Sequence, residues 1–202
     1  MAYGALHLDG RRDMALTDTQ EQILGAAIAC IARDGIDGAS MRAVATEADV
    51  SLGLLSYHFD DKQSLIVAAF QLACDRLLER SMESLEGVAG SDARVRAFIR
   101  GSFREEFLHP DYLRLRLSIW AAGRIDPRID AVDRSMYDVY AEQMAGLIVD
   151  VRPELGHSGA IQRAIDVTVT QNGLWLNWAR YADQVALERG LARCEEIALS
   201  GA

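Results

Sequence analysis

The stretch VSLGLLSYHFDDK, residues 50–62, decides how the N-terminal part of this chain is interpreted. A core helix would carry fewer serines and glycines, and a solvated surface helix would not carry tyrosine, histidine and phenylalanine in succession. We therefore predict that a molecule outside the chain contacts this segment. The stretch ends at Lys62, the single lysine among 21 basic residues.

The residues before and within this stretch predict two short helices joined by a tight turn. Ser40 can cap a helix over MRAVATEA, and Ser51 can cap the next one. Asp49 is expected in the turn, because aspartate enters the left-handed backbone region more readily than most residues. The side chains expected to face the core are those of Val50, Leu54 and Phe59. Such a pair of helices is typical of a helix-turn-helix.

Apolar residues recur at helical spacing along most of the chain, which predicts an all-α fold of about nine helices. A capping box of Thr19 and Gln22 is expected to begin the first helix, and Gly35 to end it. Later helices are expected to begin at Asp60 or Asp61, at Ser91, at Ser158 and near Asp183.

The segment YLRLRLSIW, residues 112–120, alternates apolar and polar side chains, and this period by itself indicates a strand. A lone strand would leave its backbone groups unpaired, and the rest of the sequence offers no partner strand. We therefore expect a helix packed on two sides. One side would consist of Leu115 and Ile119, and the other of Leu113, Leu117 and Trp120.

The composition of the 202-residue chain excludes several classes of protein. Half of the residues are hydrophobic and a quarter are charged, which is typical of a globular protein. No apolar run approaches the ~18 residues needed to span a bilayer. The start lacks the pattern of a signal peptide, so we expect residues 1–16 to form a flexible tail on a cytoplasmic protein. The net charge of −9 argues against unspecific coating of nucleic acid, but not against a local DNA-reading surface.

Neither a metal site nor a catalytic constellation is predicted. Cys30, Cys74 and Cys194 are far apart and odd in number, which fits neither a disulfide framework nor a set of metal ligands. The four histidines are scattered, and no nucleophile can be paired with an orienting partner. We expect no cofactor and no enzymatic activity.

The segment SMRAVATEADVSLGLLSYHFDDKQSL, residues 40–65, with ILGAAIACIARDGIDGAS before it, resembles the TetR family of bacterial repressors. The resemblance is carried by Gly35, Ala45, Val50, Ser51, Gly53, Tyr57, His58, Phe59, Lys62 and Leu65. Two positions depart from the family pattern: Asp49 stands where glycine is usual, and Ser56 where tyrosine is common. The resemblance implies a helix-turn-helix DNA-binding domain over residues 17–64 and a helical ligand-binding and dimerisation domain over residues 65–202.

The resemblance also implies which residues contact DNA. Arg42 is the expected reader of bases, because a guanidinium can address guanine N7 and O6 in the major groove. Ser40 and Ser51 can bond phosphate oxygens from helix N-termini, and Lys62 matches the family's phosphate-contacting lysine. The candidate DNA-binding residues are Ser40, Arg42, Ser51, Leu52, Gly53, Ser56, Tyr57, His58 and Lys62.

The segments SIWAAGRIDPRI, residues 118–129, and NGLWLNWA, residues 172–179, are similar to the BetI branch of that family, which responds to choline. The similarity implies that the C-terminal half binds a small molecule and that its last two helices form a homodimer. Gly173 and Ala179 suggest a close approach between helices. The candidate ligand-binding residues are Trp120, Tyr137, Tyr140, Thr168, Asn172 and Trp175.

Two ligand chemistries stay open at this point. Aromatic faces attract quaternary ammonium groups, which favours a cation. The alternative is a hydrophobic or aromatic acid with Arg116 or Arg180 as its partner. The face made of Thr168, Asn172 and Trp175 can also belong to a dimer interface instead of a pocket.

The sequence therefore predicts a ligand-responsive transcriptional repressor. It would bind a palindromic operator as a homodimer, and a small molecule would release it or modulate its binding. The alternative is a helical protein that binds small molecules without reading DNA.

Overall fold

The computed structural model describes residues 16–124 and 126–200, and within these ranges it contains helices and no strand. Nine of the α-helices there have seven residues or more, which confirms the prediction, and α6 is a single turn. The predicted tail lies outside the described residues except for its last residue. The helices are α1 Asp18–Gly38, α2 Met41–Glu47, α3 Leu52–His58, α4 Lys62–Glu83, α5 Ser91–Gly101, α6 Glu105–Leu108, α7 Pro110–Gly123, α8 Pro127–Val151, α9 Gly156–Tyr181 and α10 Gln184–Leu199.

Several predicted helix caps are confirmed. The hydroxyls of Ser40 and Ser51 and the carboxylate of Asp61 accept hydrogen bonds from backbone N–H groups in the first turns of α2, α3 and α4. Asp183 likewise caps α10. The left-handed turn at Asp49 is also confirmed, with φ of 51°. These local signals fix where the short helices begin.

Helix α1 begins differently from the prediction. Its capping box consists of Thr17 and Gln20, each of which accepts a hydrogen bond from the backbone N–H of the other. The predicted box of Thr19 and Gln22 is wrong. Gln22 instead donates a hydrogen bond of 2.6 Å to the carbonyl of Ala48. Because Ala48 lies just before the turn into α3, Gln22 stabilises the helix-turn-helix.

Glycines mark three other helix boundaries. Gly35, with φ of 74°, interrupts α1 where its end is predicted, and one further turn follows. Gly90 precedes α5 without a side-chain cap, so the predicted cap at Ser91 is wrong and Ser91 is the first residue of the helix. Helix α9 begins at Gly156, two residues before the predicted Ser158.

Buried apolar side chains form two clusters. The first, here called the N-terminal core, joins α1–α4 with parts of α7 and α8. The second, the C-terminal core, joins the end of α4 with the remaining helices and with other parts of α7 and α8. Helices α4, α7 and α8 contribute to both cores, so they connect the two halves of the molecule.

Helix α3 is attached to the N-terminal core by Leu55, which is fully buried, and by Phe59 just after the helix. The prediction that Leu54 faces the core is wrong, since 41% of its surface is exposed. Leu55 and Phe59 are four residues apart and share one side, whereas Leu54 is rotated from Leu55 by about 100°. The other face of α3 therefore points into solvent.

The alternating segment of α7 is helical, as predicted. Leu115 and Ile119 are buried in the N-terminal core and Leu113 in the C-terminal core, so the helix packs on two sides. Leu117, expected on a buried side, is 38% exposed, and Arg116 is buried instead. Helix α7 thus carries a charged side chain into the interior.

Helix α9 packs against α8 and α10. A close approach occurs at Gly190, where an added Cβ would collide with the side chain of Leu174. Gly173, for which such an approach is predicted, is exposed, and a Cβ added there would have no neighbour within 4 Å. The apolar stripe of α10 is buried as predicted, at Leu187, Leu191, Cys194 and Ala198.

Candidate DNA-binding surface and ligand cavity

The turn between α2 and α3 sets the direction of α3. Its left-handed residue, Asp49, is followed by Val50, whose N–H donates a hydrogen bond of 3.0 Å to the carbonyl of Ala45. The bond from Gln22 to Ala48 ties the same turn to α1. These contacts orient the outward face of α3 relative to the N-terminal core.

Six of the nine residues predicted to contact DNA lie on α3 or at its N-cap. Of these, Ser51, Leu52, Gly53, Ser56 and Tyr57 are exposed, and His58 is half-buried. Tyr57 exposes 83% of its surface, so its ring contributes little to the core of the monomer. The ring lies edge to face with that of His58 at 5.2 Å. The outward face of α3 thus leaves most of these side chains accessible from outside the monomer.

Gly53 is not required by the fold. Its backbone is helical, and an added Cβ would meet nothing closer than the hydroxyl of Ser51 at 3.9 Å. Glycine inside a helix is less stable than alanine by about 0.5–1 kcal/mol. Because no contact within the chain explains this cost, a close external surface such as a DNA backbone is the favoured explanation.

Two serines of the DNA-binding set use only part of their hydrogen-bonding capacity. The hydroxyl of Ser40 accepts a bond of 3.2 Å from the N–H of Ala43, and that of Ser51 accepts one of 3.1 Å from Leu54. A hydroxyl that accepts one hydrogen bond still has its own O–H to donate. Capping and a phosphate contact are therefore compatible at both positions.

The basic side chains near α3 differ in their partners. Arg42 is exposed and has no ion-pair partner among the described residues. Lys62 donates a hydrogen bond of 3.0 Å to the carbonyl of Asp37, which leaves two N–H groups of its ammonium free. Glu47, a negative charge on α2, pairs with Arg33 at 2.9 Å, so its repulsion of DNA phosphates is partly compensated.

A small, partly enclosed cavity lies between α4, α7, α8 and α9. The space open to a water-sized molecule is about 10 Å³, which is room for roughly one water. A larger ligand therefore requires side chains to move. Four predicted ligand-binding residues line it, namely Tyr137, Tyr140, Thr168 and Trp175. Four further residues complete the lining, namely Leu77, Arg116, Met136 and Gln171.

The other two predicted ligand-binding residues stand outside the lining. Trp120 contacts the guanidinium of Arg116, at 5.0 Å from the ring centre. Asn172 lies beside the cavity on α9, and its Oδ1 is buried without a hydrogen-bond partner among residues 16–124 and 126–200. Of the residues that sequence reasoning missed, Leu77, Met136 and Gln171 come from three helices and share no local pattern that marks them.

The hydroxyl of Tyr140 is already bonded within the core. It lies 2.7 Å from the hydroxyl of Ser102 and accepts a bond of 3.2 Å from Nε2 of Gln171. Gln171 also donates to the carbonyl of Ile99. Burial raises the pKa of Tyr140 to about 12, so the phenol stays neutral. The hydroxyl of Tyr140 is therefore neutral and already engaged by side chains of the protein.

Arg116 is the charged group of the cavity, and only 7% of it is exposed. Its guanidinium carbon lies 3.9 Å from the ring centre of Trp175, which also stacks on Phe103. The guanidinium donates a long hydrogen bond of 3.4 Å to the hydroxyl of Tyr112, and its Nε has no partner among the described residues. Two of the aromatic rings predicted to hold a ligand cation, those of Trp120 and Trp175, are thus in contact with a cation of the protein itself.

An acidic recess lies outside the cavity on α8, and Tyr137 borders both. The recess is lined by Asp130, Asp133, Arg134, Tyr137 and Asp138. Burial raises the pKa of Asp133, and the charge of Arg116 opposes that rise. Arg180, the other arginine considered for an acidic ligand, is exposed and lies 4.9 Å from the ring of Tyr181, away from the lining.

A larger, open groove runs between α1, α4, α6 and α7. Most of its charged side chains are paired with one another or with neighbours, since Arg80 binds Glu83 at 2.7 Å and Glu106 at 3.4 Å. Arg104 approaches the same Glu83 at 3.8 Å. Because these charges are compensated, the groove presents less specific chemistry than the cavity around Arg116.

Potential metal ligands do not cluster in the described chain. Among residues 16–124 and 126–200, no group of three or more His, Cys, Asp or Glu side chains could hold a metal ion. No helix of that part of the chain combines the length and the apolarity needed to cross a bilayer. The three cysteines are buried and free, and burial raises the pKa of Cys194 to about 12, so it is a protonated thiol.

Two family models match the chain, one in each half. The model described as bacterial regulatory proteins of the tetR family matches residues 23–69, which include α2 and α3. The model described as the C-terminal part of the BetI-type transcriptional repressor matches residues 91–200, more than half of the chain. The two matches together include both the DNA-binding face and most of the cavity.

Curated relatives agree with the family models. The HTH-type transcriptional regulator BetI of Cronobacter sakazakii (strain ATCC BAA-894) is 26% identical over 172 residues, which are 84% of this chain and 83% of that protein. The HTH-type nicotine-responsive transcriptional repressor HdnoR of Paenarthrobacter nicotinovorans is 28% identical over 142 residues, 67% of this chain and 70% of that protein.

Solved structures share the fold. A transcriptional regulator from Pseudomonas aeruginosa PAO1 matches with a TM-score of 0.78 and 28% identity, over 88% of this chain and 87% of that one. A regulator from Saccharomonospora viridis in complex with choline matches with a TM-score of 0.72 over 89% and 94%, but at 18% identity it supports the fold alone. The chain therefore belongs to the TetR family of bacterial regulatory proteins, has a C-terminal half of the BetI type, and is a ligand-responsive transcriptional repressor.

Proposed function

We propose that the repressor binds a palindromic operator as a homodimer, and that a small molecule in the Arg116 cavity changes its affinity for DNA. Residues 17–64 form the DNA-binding domain, and residues 65–202 bind the ligand and the second copy. The observation that carries the proposal is the outward face of α3, where Leu52, Leu54 and Tyr57 are exposed and no close contact within the described chain accounts for Gly53.

On the operator, two copies of α3 enter successive major grooves, about 34–36 Å apart. Arg42 reads base edges, because its guanidinium is exposed and has no ion-pair partner among the described residues. Ser40, Ser51 and Lys62 bind phosphates through donors that their contacts within the chain leave free. Few positive charges take part, so we expect DNA affinity to depend weakly on salt.

The homodimer forms through α9 and α10. Val169 and Leu176 of α9 expose 60% and 44% of their surface, and Val185 of α10 exposes 75%. Val169, Gly173 and Leu176 lie at positions i, i+4 and i+7, so they share one side of α9. Exposed apolar surface of this kind favours burial against a second copy.

Helix α7 supplies a physical link between the cavity and the DNA-binding half. Arg116 faces the cavity, whereas its neighbour Leu115 is buried in the N-terminal core. The side chain of Gln63, at the start of α4, also binds the carboxylate of Asp126, which caps α8. A ligand that moves Arg116 therefore shifts α7 against α1, and it alters DNA binding to the extent that its affinity for the two arrangements differs.

Because its target is bacterial DNA, we expect the protein to work in the cytoplasm. The family is one of transcriptional regulators, and we expect this member to act by binding alone, without catalysis and without a cofactor.

The test combines sedimentation equilibrium with a mobility-shift assay on DNA from upstream of the gene. The wild type should sediment as a dimer at micromolar concentration and retard that DNA. Leu176→Asp should weaken both dimerisation and DNA binding, whereas Leu117→Asp, a matched change of an exposed leucine on α7, should weaken neither. A monomeric wild type would reject the dimer. Absence of any retarded DNA, with ligand binding intact, would favour a helical binding protein that does not read DNA.

A further inference from the structure

We infer that the small molecule recognised by this repressor is an apolar or aromatic carboxylate whose anionic group pairs with Arg116. The inference rests on the proposed function, because it assigns the chemistry of the same cavity. The observation that carries it is a buried guanidinium that borders the cavity without an anionic partner in the described chain.

Arg116 is less well satisfied than a buried arginine should be. Removing a charged group from water is costly unless hydrogen bonds and an opposite charge replace the lost hydration. No carboxylate of the described residues lies within 4.0 Å of the guanidinium. The bond to Tyr112 is 3.4 Å long, and the described part of the chain offers Nε no partner. One strong acceptor is therefore missing from this site.

The surrounding helices do not supply that acceptor. Asp133 of α8 acts on Arg116 through its charge only, at a separation beyond ion-pair distance. Burial raises the pKa of Cys74 on α4 and of Tyr112 on α7, so both groups are neutral. Tyr140 is also neutral, and its hydroxyl is bonded to Ser102 and Gln171. Because residues 16–124 and 126–200 leave this role unfilled, we assign it to the anionic group of the ligand.

The position of Arg116 also argues against a cationic ligand. The guanidinium lies 3.9 Å from the ring centre of Trp175 and 5.0 Å from that of Trp120. A second cation on these rings would lie close to a buried positive charge, where repulsion is poorly screened. A carboxylate finds attraction at the same place, and a guanidinium can bind it with two parallel hydrogen bonds.

The rest of the lining suits the apolar body of such a ligand. Leu77 and Met136 contribute apolar surface, and Trp175 contributes its ring. The indole Nε1 of Trp175 is a second buried donor without a partner in the described chain. Because the cavity has about 10 Å³ of free space, the ligand must displace side chains. Movement of Arg116 away from the indoles should change tryptophan fluorescence.

The first experiment titrates the full-length protein calorimetrically with phenylacetate and octanoate. The neutral controls are phenylacetamide and octanamide, and the cationic control is choline. At least one carboxylate should bind with a Kd below about 1 mM and at least about tenfold more tightly than its amide, with a change in tryptophan fluorescence. Choline should bind more weakly than that carboxylate.

Three arginine variants locate the interaction. Arg116→Met removes the charge and keeps the length, and it should weaken binding of the carboxylate about tenfold or more while leaving the amide unaffected. Arg116→Lys keeps the positive charge but cannot form the two parallel hydrogen bonds of a guanidinium, so it should give an intermediate affinity. Arg114→Met is the matched control, because Arg114 is exposed on the same helix and pairs with Asp111. Circular dichroism checks that each variant is folded. If Arg116→Met does not fold, the affinity of Arg116→Lys for the carboxylate tests the inference.

Three results would overturn the inference: failure of every carboxylate to bind the wild type, tighter binding of choline, or wild-type affinity for the carboxylate in the folded Arg116 variants. Binding of the same preparations to upstream DNA separates this inference from the proposed function. If the wild type binds upstream DNA but no carboxylate, only the inference is rejected. If the wild type does not bind upstream DNA, the proposed function is rejected.

Discussion

The surface formed by α2 and α3 and the Arg116 cavity both contain polar N–H or O–H groups that have no acceptor among the described residues, but one set lies in water and the other in the interior. Arg42 and the hydroxyls of Ser40 and Ser51 are solvated, so their free donors cost the isolated protein little. The guanidinium of Arg116 is buried and lowers the stability of the folded protein until it finds an anion.

This difference in burial predicts how the DNA-binding surface and the cavity respond to substitution. Changes on the outward face of α3 should alter DNA binding and leave stability nearly constant. Changes in the cavity should alter stability and ligand binding together, because the same side chains also form the core. Substitutions in both regions can test this separation, from the largest expected effect to the smallest.

The largest effect is expected where α3 meets the core. Leu55→Ala should lower the free energy of unfolding by about 3 kcal/mol, because it removes a fully buried side chain. Leu54→Ala, one residue away and exposed, should change it by about 0.5 kcal/mol or less. Urea denaturation at a fixed protein concentration measures both. Equal losses would contradict the division of α3 into an anchored and a free face.

The next effect concerns the two basic residues of the DNA-binding surface. Arg42→Ala should weaken operator binding by about 1–3 kcal/mol and relax the preference at particular base pairs. Lys62→Ala should weaken binding to all sequences about equally, since its ammonium binds phosphate. Fluorescence anisotropy on the operator and on single-base variants distinguishes the two patterns. Wild-type behaviour of both variants would reject this assignment of DNA contacts.

Substitution of Gly53 should separate stability from function. Gly53→Ala should raise the free energy of unfolding by about 0.5–1 kcal/mol, because alanine is the better helix former and its Cβ meets no close neighbour. The same variant should bind the operator less tightly, because the methyl group prevents close approach of DNA. Gly146→Ala, another helical glycine with open space at Cβ, is the control that should leave DNA binding unchanged. Tighter DNA binding by Gly53→Ala would contradict the proposal.

The smallest effect is expected at Asp133, beside the cavity. Burial raises the pKa of this carboxyl above its ordinary value of 3.8, so its charged form destabilises the folded state at neutral pH. Asp133→Asn should therefore be more stable than the wild type at pH 7. The gain should fade as the pH falls through the folded pKa, and vanish below 3.8, where Asp133 is protonated in both states.

Thermal unfolding of both proteins between pH 3.5 and pH 7, a range chosen around the ordinary pKa of aspartate, measures the difference. Asp138→Asn, an exposed change on the same helix, should alter stability little across that range. A variant less stable than the wild type at pH 7 would mean that the charge of Asp133 is needed near Arg116.

The sequence predicts the DNA-binding half well because its signals are local. Ser40 and Ser51 cap helices that follow within a few residues, and Asp49 makes its turn with its own backbone. The error at Leu54 arises because a two-turn helix has too few apolar residues to define which of two adjacent leucines faces inward. That choice depends on packing in the N-terminal core, to which helices distant in sequence contribute.

The cavity could be predicted only in part. Tyr137, Thr168 and Trp175 line it as expected, because aromatic and hydroxyl groups stand out in an apolar pattern. Gln171 joins them only through the packing of α9 against α8. Burial of Arg116 could not be predicted, because apolar and polar residues alternate along α7 and this pattern places an arginine between two leucines on the solvent side. The missing information is the three-dimensional arrangement of helices from distant parts of the chain.

The attachment of α3 through Leu55 and Phe59 has a consequence for how such a repressor can change its target. Because the fold depends on these two anchors, the exposed positions between Ser51 and Tyr57 can be exchanged without rebuilding the core. A library randomised at those positions should contain mostly folded proteins with new operator preferences. The ligand response would be inherited unchanged, since the cavity lies in the other half of the molecule. The recognition surface of α3 can therefore be changed while the ligand-binding domain is kept.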